Sequence, residues 1–465
     1  MACCRYFIEN KKARYPSILY KRKTHILYRG QKPMKTILPQ SNLAQKLIPK
    51  QKMNTDTVYR LSNFCLEATC EEGCLLYNTL TGELVLLSAG ETKEQNQEEL
   101  IQKRFLIPQS MDELAYVDSL RKILRLMPQS AYKTHFTILT TTDCNARCFY
   151  CYEKGIPRFS MSQQTARDVI SYISNNCGDK EVKISWFGGE PLYNYQAIDT
   201  ICAGLKAKGI RFTSILTSNG FYLDSSLARK AKEDWHVIMA QITIDGTETI
   251  YNKTKGYIDN CPNPYARVLE NIAEAVTCGL EIGIRLNMDA ANITNLFQLA
   301  DELAIRFSGK PNVNVHVEPL FEFAGKIHRF KTQDQLIVKY WELTDKLAQL
   351  GLNHLPEFSR NLKSNRCMAD DSKSEVILPD GEIVKCEHVD RADSVGSIYL
   401  SKQDEQRITA WKEVVRFPEC EKCPMYPACI ILKKCAWTSN GCQEYVRKIW
   451  IERTKRQMVA AWKKS

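Results

Sequence analysis

The chain has 465 residues, 44% hydrophobic and 25% charged, the composition of a folded globular protein with room for several domains. It holds no run of eighteen apolar residues and no secretory-type apolar stretch at its N-terminus, which argues against a membrane and for a cytoplasmic location. The net charge of +11 comes from residues 1–52, where thirteen Lys and Arg face one acid, Glu9, so it does not mark the remainder as a nucleic-acid binder.

Composition changes at Met53, and residues 1–52 read as a basic extension, either a disordered tail or a stretch ahead of the true start. Residues 53–134 read as a small α+β module. In it, 74–79 and 83–88 flank the turn Leu80-Thr81-Gly82 as a hairpin, and a polar helical stretch follows to about Leu126. From His135 to about 330, strands alternate with helices. The strands are expected at 136–140, 182–186, 212–216, 238–244, 282–286 and 313–317. Apolar residues at helical spacing lie between them: Ala166, Val169, Ile170 and Ile173; Ile198, Ile201, Cys202 and Leu205; Leu296, Leu299, Ala300 and Leu303. Gly209 and Gly279 fall where helix C-caps belong. Six βα units predict an α/β fold with a parallel sheet, as an open barrel or doubly wound, and such sheets carry their chemistry at the C-terminal strand ends. A helical linker over 331–360 leads to a Cys-rich segment, 361–465, that ends in a basic helix.

Nineteen cysteines in a cytoplasmic protein point to metal ligation or redox chemistry. The first expected strand ends in Cys144-Asn-Ala-Arg-Cys148-Phe-Tyr-Cys151. Three thiolates at this spacing can hold three irons of a 4Fe–4S cluster and leave the fourth open to the amino and carboxylate groups of a small molecule. A zinc site would call for a further protein ligand, and none is nearby.

This motif, with its aromatic residue before the third Cys, resembles that of the radical S-adenosylmethionine (SAM) superfamily. Further residues fit the resemblance in order along the strands: Phe187-Gly188-Gly189-Glu190-Pro191 after the second, Thr217-Ser218-Asn219-Gly220 after the third, Asp245-Gly246 after the fourth and Arg285-Leu286-Asn287 on the fifth. The resemblance implies a partial (β/α)6 barrel over 135–330 that binds SAM and a 4Fe–4S cluster on Cys144, Cys148 and Cys151. Gly188 and Gly189 would let the methionine part approach the backbone. Glu190 would accept from its ammonium group, Tyr150 would lie near the adenine, and Ser218, Asn219 and Arg285 would contact the ribose and carboxylate. The implied activity is reductive cleavage of SAM to a 5′-deoxyadenosyl radical that takes a substrate hydrogen, with electrons from a donor such as flavodoxin or ferredoxin.

In the C-terminal segment, Cys367-x13-Gly381-x4-Cys386 followed by Cys420-x2-Cys423-x5-Cys429 resembles the SPASM extension of radical SAM enzymes, which holds two auxiliary 4Fe–4S clusters. The likeness implies three clusters in all. Cys367, Cys386 and Cys435 would hold one auxiliary cluster, and Cys420, Cys423, Cys429 and Cys442 the other. The spacing around Cys435 and Cys442 departs from the family pattern, so these two could exchange. Paired cysteines also suit zinc. Enzymes of this kind modify peptides or proteins, and two radical readings follow. One is a maturase of ribosomally made peptides that forms thioether or other side-chain crosslinks; the other is an anaerobic sulfatase maturase that forms formylglycine. The module over 53–134 loosely resembles leader-peptide recognition modules, which bind a leader as an added strand, and this favours the first. A reading from another class is a non-catalytic iron–sulfur electron-transfer protein, which would have no use for Glu190, Asn219 and Arg285. Asp245, Asp289, Glu318 and Glu322 lie near strand ends as candidates for a general base.

Overall fold

The structure, a computed structural model, describes residues 34–126, 132–320, 329–354, 358, 362–388, 391–435 and 441–465. The chain opens with β1 (Lys35–Leu38), α1 (Asn42–Leu47), β2 (Tyr59–Leu61), β3 (Cys65–Cys70), β4 (Gly73–Asn78), β5 (Glu83–Ser88), α2 (Gln97–Gln102), β6 (Leu106–Pro108) and α3 (Glu113–Leu126). The expected hairpin forms. β4 pairs antiparallel with β5, with Asn78 opposite Glu83, and Gly82 supplies the positive φ of 72° that closes the turn. The sheet runs β1-β5-β4-β3.

The place of β1 differs from expectation. Residues 34–52 are not a tail: β1 pairs with β5, and Met34, Ala44 and Ile48 are buried. Ser41 caps α1 by accepting from the Ala44 amide at 3.2 Å. The basic residues hid this pattern, because Lys35, Lys46 and Lys50 face solvent while the apolar residues between them turn inward. Residues 1–33, the rest of the basic extension, lie outside the described residues.

The central region follows the expected alternation. It comprises β7 (His135–Thr141), α4 (Gln163–Cys177), β8 (Val182–Gly188), α5 (Tyr195–Ala207), β9 (Phe212–Ser218), α6 (Ser225–Glu233), β10 (Val237–Thr243), α7 (Glu248–Lys255), α8 (Pro264–Thr277), β11 (Glu281–Met288), α9 (Ile293–Phe307), β12 (Val313–Pro319) and α10 (Gln333–Gln349). β7 to β12 lie side by side in chain order, all parallel. That order has no reversal point, so the strands form a singly wound open sheet rather than a doubly wound one. The apolar faces foreseen on α4, α5 and α9 are buried. α10 buries Ile337, Tyr340, Trp341, Leu343 and Leu347, so it is a packed helix of this layer rather than a free linker.

Past β7 the same sheet continues with β13 (Ser374–Ile377), parallel to β7, and then β14 (Glu382–Val384) and β15 (Gly396–Ser397), antiparallel. Part of the Cys-rich segment is therefore an extension of the core sheet. After α11 (Glu405–Ala410), the last helix, α12 (Glu444–Lys463), packs Met458 against Leu66, Leu75, Tyr77 and Leu84. The chain divides into two compact units. One holds Met1–Gln129, Leu355–Arg366 and Val414–Ser465; the other holds Ser130–His354 and Cys367–Glu413. These cut across the sequence-drawn boundary at 361. No described helix is long and apolar enough to cross a membrane.

Candidate active site

Cys144, Cys148 and Cys151 occupy the loop that leaves β7. The loop is held from neighbouring strand ends. The Asn145 side chain is fully buried; its amide donates to Asp259 at 2.7 Å and its carbonyl accepts from Asn219 at 2.8 Å. The Ile258 amide donates to the Asn145 carbonyl, and the Arg147 amide to the Lys255 carbonyl at 2.7 Å. The Asn219 amide also reaches Cys144 Sγ at 3.8 Å. Burial, then the Glu190 carboxylate and the two other thiols, push Cys144 up to about 12. Burial and Glu153 push Cys151 up to about 11, and burial also raises Cys148. Among the described residues no three His, Cys, Asp or Glu side chains stand in closed metal-ligand geometry. The three thiols are nevertheless close enough to act on one another, and metal binding is what turns such buried thiols into thiolates.

Glu190 caps the short turn after β8 and is fully buried. Its Oε1 accepts from the Leu192 amide at 3.0 Å and the Ser218 hydroxyl at 2.8 Å, and its Oε2 from the Asn219 amide at 2.7 Å. Burial raises this carboxyl to about 7 against the pull of those donors. Glu190 thus ties the end of β8 to the end of β9, and Oε2 keeps capacity for one further donor. The two glycines before it are also required by the packing of the chain itself. A Cβ on Gly188 would come within 2.2 Å of the Thr141 carbonyl oxygen, and one on Gly189 within 2.3 Å of that of Asp143. They let β8 approach the start of the cluster loop.

At the end of β10, Asp245 is 1% exposed. Its Oδ2 accepts from the Tyr150 hydroxyl at 2.7 Å and lies 2.9 Å from Lys255 Nζ. Among the described residues its Oδ1 is buried with no hydrogen-bond partner, an acceptor that suits a bound hydroxyl or ammonium. Tyr150 is therefore held by the end of β10. Arg285, on β11 between Thr243 and His316, donates to Asn287 at 2.8 Å. Asp289 accepts from the Ala291 and Asn292 amides, which makes it a turn-former, and Glu318 is buried at the end of β12. Glu322 lies outside the described residues. Sequence reasoning missed Lys255, Tyr152 and His388. The Tyr152 ring meets His388 edge-on at 4.5 Å, and burial, then Glu153, Glu387 and the Cys151 and Cys386 thiols, hold the Tyr152 hydroxyl well above its ordinary value. The only textual signal for His388 is its place two residues after Cys386.

Cys367 and Cys386 belong to the unit that contains the parallel sheet, and Cys435 to the other unit. In that other unit Cys420, Cys423, Cys429 and Cys442 share one neighbourhood. Burial first, and then Cys429 and Cys442, raise Cys423, while burial, Cys429 and Cys420 raise Cys442 to about 11. Arg121 of α3 holds the segment, donating to the Cys429 carbonyl at 2.7 Å and to those of Tyr426 and Pro427.

Comparison with known proteins agrees with this geometry. A family profile described as a 4Fe-4S single cluster domain matches residues 134–255. A GTP 3',8-cyclase of Limosilactobacillus fermentum is 28% identical over 225 residues, which is 47% of this chain and 63% of that protein. An uncharacterised protein of Methanocaldococcus jannaschii is 31% identical over 116 residues, 24% of this chain and 39% of that protein. The chain thus spans less than two thirds of the length of either relative. Among solved structures, anSMEcpe with bound AdoMet and Kp18Cys peptide superposes with a TM-score of 0.51 at 15% identity, covering 70% of this chain and 96% of that one. The Cys144–Cys151 loop, the residues at successive strand ends and the open parallel sheet agree with these matches and support the resemblance to the radical SAM superfamily.

Proposed function

We propose that the protein is a radical SAM maturase that modifies a ribosomally made peptide, with a thioether or another side-chain crosslink as the product. The observation that carries the reading is convergence: Glu190, Asn219 and Asp245, from three successive strand ends, are all bonded into the network around the three-cysteine loop. Once bound, the cluster and SAM supply a one-electron reductive cleavage that yields a carbon-centred oxidant. The chain's own part is positional. Glu190 Oε2 and Asp245 Oδ1 offer the acceptors for a cationic, hydroxyl-rich ligand, Asn219 orients the loop beside Cys144, and burial excludes water. A peptide substrate is supported by the fold likeness to anSMEcpe, which holds a peptide in one structure. It is also supported by the β1-β5-β4-β3 sheet, whose edge strands β1 and β3 are places where an extended leader could add. The four cysteines around Cys429 are proposed to hold an auxiliary cluster, and Cys367, Cys386 and Cys435 are the remaining candidate ligands.

The test is anaerobic. With iron, sulfide, SAM and a flavodoxin or ferredoxin donor, the protein is expected to release 5′-deoxyadenosine, and its absence from cluster-loaded protein would leave an electron-transfer role. Short peptides encoded beside the gene should then lose hydrogen and keep their sulfur. Loss of sulfur from a Cys would instead identify formylglycine formation.

A further inference from the structure

Lys255 ends α7 and is 3% exposed. Taking an ammonium group out of water costs several kcal/mol unless close partners replace its hydration. Here the partners are the cluster loop and its support. Nζ lies 2.9 Å from Asp245 Oδ2 and donates to the Tyr150 hydroxyl oxygen at 3.2 Å. It stands 5.8 Å and 5.7 Å from the ring centres of Tyr150 and Tyr251. The backbone carbonyl of the same residue accepts from the Arg147 amide at 2.7 Å. Lys255 thus grips the loop at two points, Arg147 and Tyr150, and Cys148 lies between them. Burial works against the ammonium, but Asp245 and the groups around it outweigh that and hold it well above its ordinary value, so it keeps its charge.

We propose that Lys255 is a positioning residue for the cluster of the Cys144–Cys148–Cys151 loop: its buried positive charge raises the cluster's reduction potential while its two hydrogen-bonded ends fix the loop. The proposal rests on the radical SAM reading. A cluster gains one negative charge on reduction, and a nearby cation in a water-poor surround stabilises that state more than the oxidised one.

The experiment uses full-length protein reconstituted with iron and sulfide, without SAM or peptide. The reduced-cluster signal that disappears in C144A/C148A/C151A is followed against potential. Lys255→Met should shift the midpoint to more negative values by a factor of about ten in the reduction equilibrium, about 59 mV for one electron. Lys255→Arg should stay near wild type, because it keeps the charge. Asp245→Asn should shift the midpoint the other way. Mere loosening of the loop would not give shifts of opposite sign at two residues in contact. Unchanged midpoints in both Lys255→Met and Asp245→Asn, with full iron content, would overturn the proposal. If Lys255→Met does not retain iron, the sign of the Asp245→Asn shift decides alone. If wild-type protein shows no signal that depends on the three cysteines, the radical SAM reading of the loop fails and the proposal falls with it.

Discussion

The two compact units hold their cysteines by opposite means. In the unit with the parallel sheet, three thiols lie on one short loop, and the groups that grip it come from strand ends and from residues 255–259 at and just after the end of α7. In the other unit, Cys420, Cys423 and Cys429 lie on a stretch whose only regular structure is two short 3-10 turns. That stretch is held by α3, whose Arg121 reaches a carbonyl 308 residues further along the chain. Thr79 donates to the Pro424 carbonyl, and the Phe64 and Tyr426 rings stack at 6.4 Å. A strand end fixes its loop through contacts that fold with the sheet. A site on irregular chain depends on contacts made from far away, each with its own closure cost. The first kind should be the more tolerant of losing any one support, and the second should fail when a distant support is removed.

The largest expected effect tests the first half of that contrast. Replacing Cys144, Cys148 and Cys151 by Ala should abolish 5′-deoxyadenosine formation, a loss of at least about 1,000-fold, because no other residue supplies the reductant at that site. Circular dichroism should be unchanged, since most of the hydrogen bonds that hold the loop run through Asn145, Arg147 and Asn219 rather than the thiols. A chain that unfolds instead would show that the loop depends on its metal as the other site is argued to depend on its neighbours.

The second half is tested from the far side. Arg121 is buried, lies 4.7 Å over the Tyr426 ring and donates to three carbonyls of the cysteine segment. Arg121→Leu should strand those carbonyls at a cost of roughly 2–4 kcal/mol. Iron bound by the Cys420, Cys423, Cys429 and Cys442 set should fall while cleavage of SAM without peptide is preserved. Equal loss of both activities would show that the two sites are not separable. The N-terminal strand gives a further comparison. A chain starting at Met53 should be less stable to urea than one starting at Met34, by roughly 1.5–3 kcal/mol for each buried side chain lost, chiefly Met34 and Ile48. Identical midpoints would show that β1 and α1 add nothing to this unit.

The same contrast explains what could be read from the sequence. The six strands of the parallel sheet were legible to within two residues at each end, because each βα unit buries one periodic face against its neighbour in sequence. The cysteine loop and the motifs after β8, β9 and β10 were read from residue spacing and resemblance, and the structure has them at those strand ends. β13 to β15 were not: Ser374–Ile377 is a four-residue strand that becomes recognisable only when it pairs with β7. Lys255 was equally hidden, since nothing local separates a buried lysine from an exposed one. The packing reason for Gly188 and Gly189 was hidden as well, because a sequence does not show which backbone comes close.

The smallest expected effect concerns Glu190, and it distinguishes a strut from a ligand site. Burial raises this carboxyl to about 7, so in the unliganded protein it passes between neutral and charged forms within the range where SAM binding is measured. A buried acid with a raised pKa favours the protonated folded state, so its contribution to stability is full below the ordinary carboxyl value. That contribution is lost as pH rises through about 7. Binding a cationic ammonium group beside Oε2 acts in the opposite direction, since it favours the charged carboxylate. SAM affinity should therefore rise as pH increases from 6 to 8, by no more than about tenfold per unit below the raised value, and flatten above it. Glu190→Gln keeps two of the three hydrogen-bond acceptor roles and removes the titration, so its affinity should be weaker and flat across this range. A Glu190→Gln protein whose affinity still rises with pH would mean that another group titrates there and that Glu190 only ties β8 to β9. Equilibrium dialysis with labelled SAM on cluster-loaded protein at four or five pH values is enough to decide, because the two roles differ in slope and not merely in size.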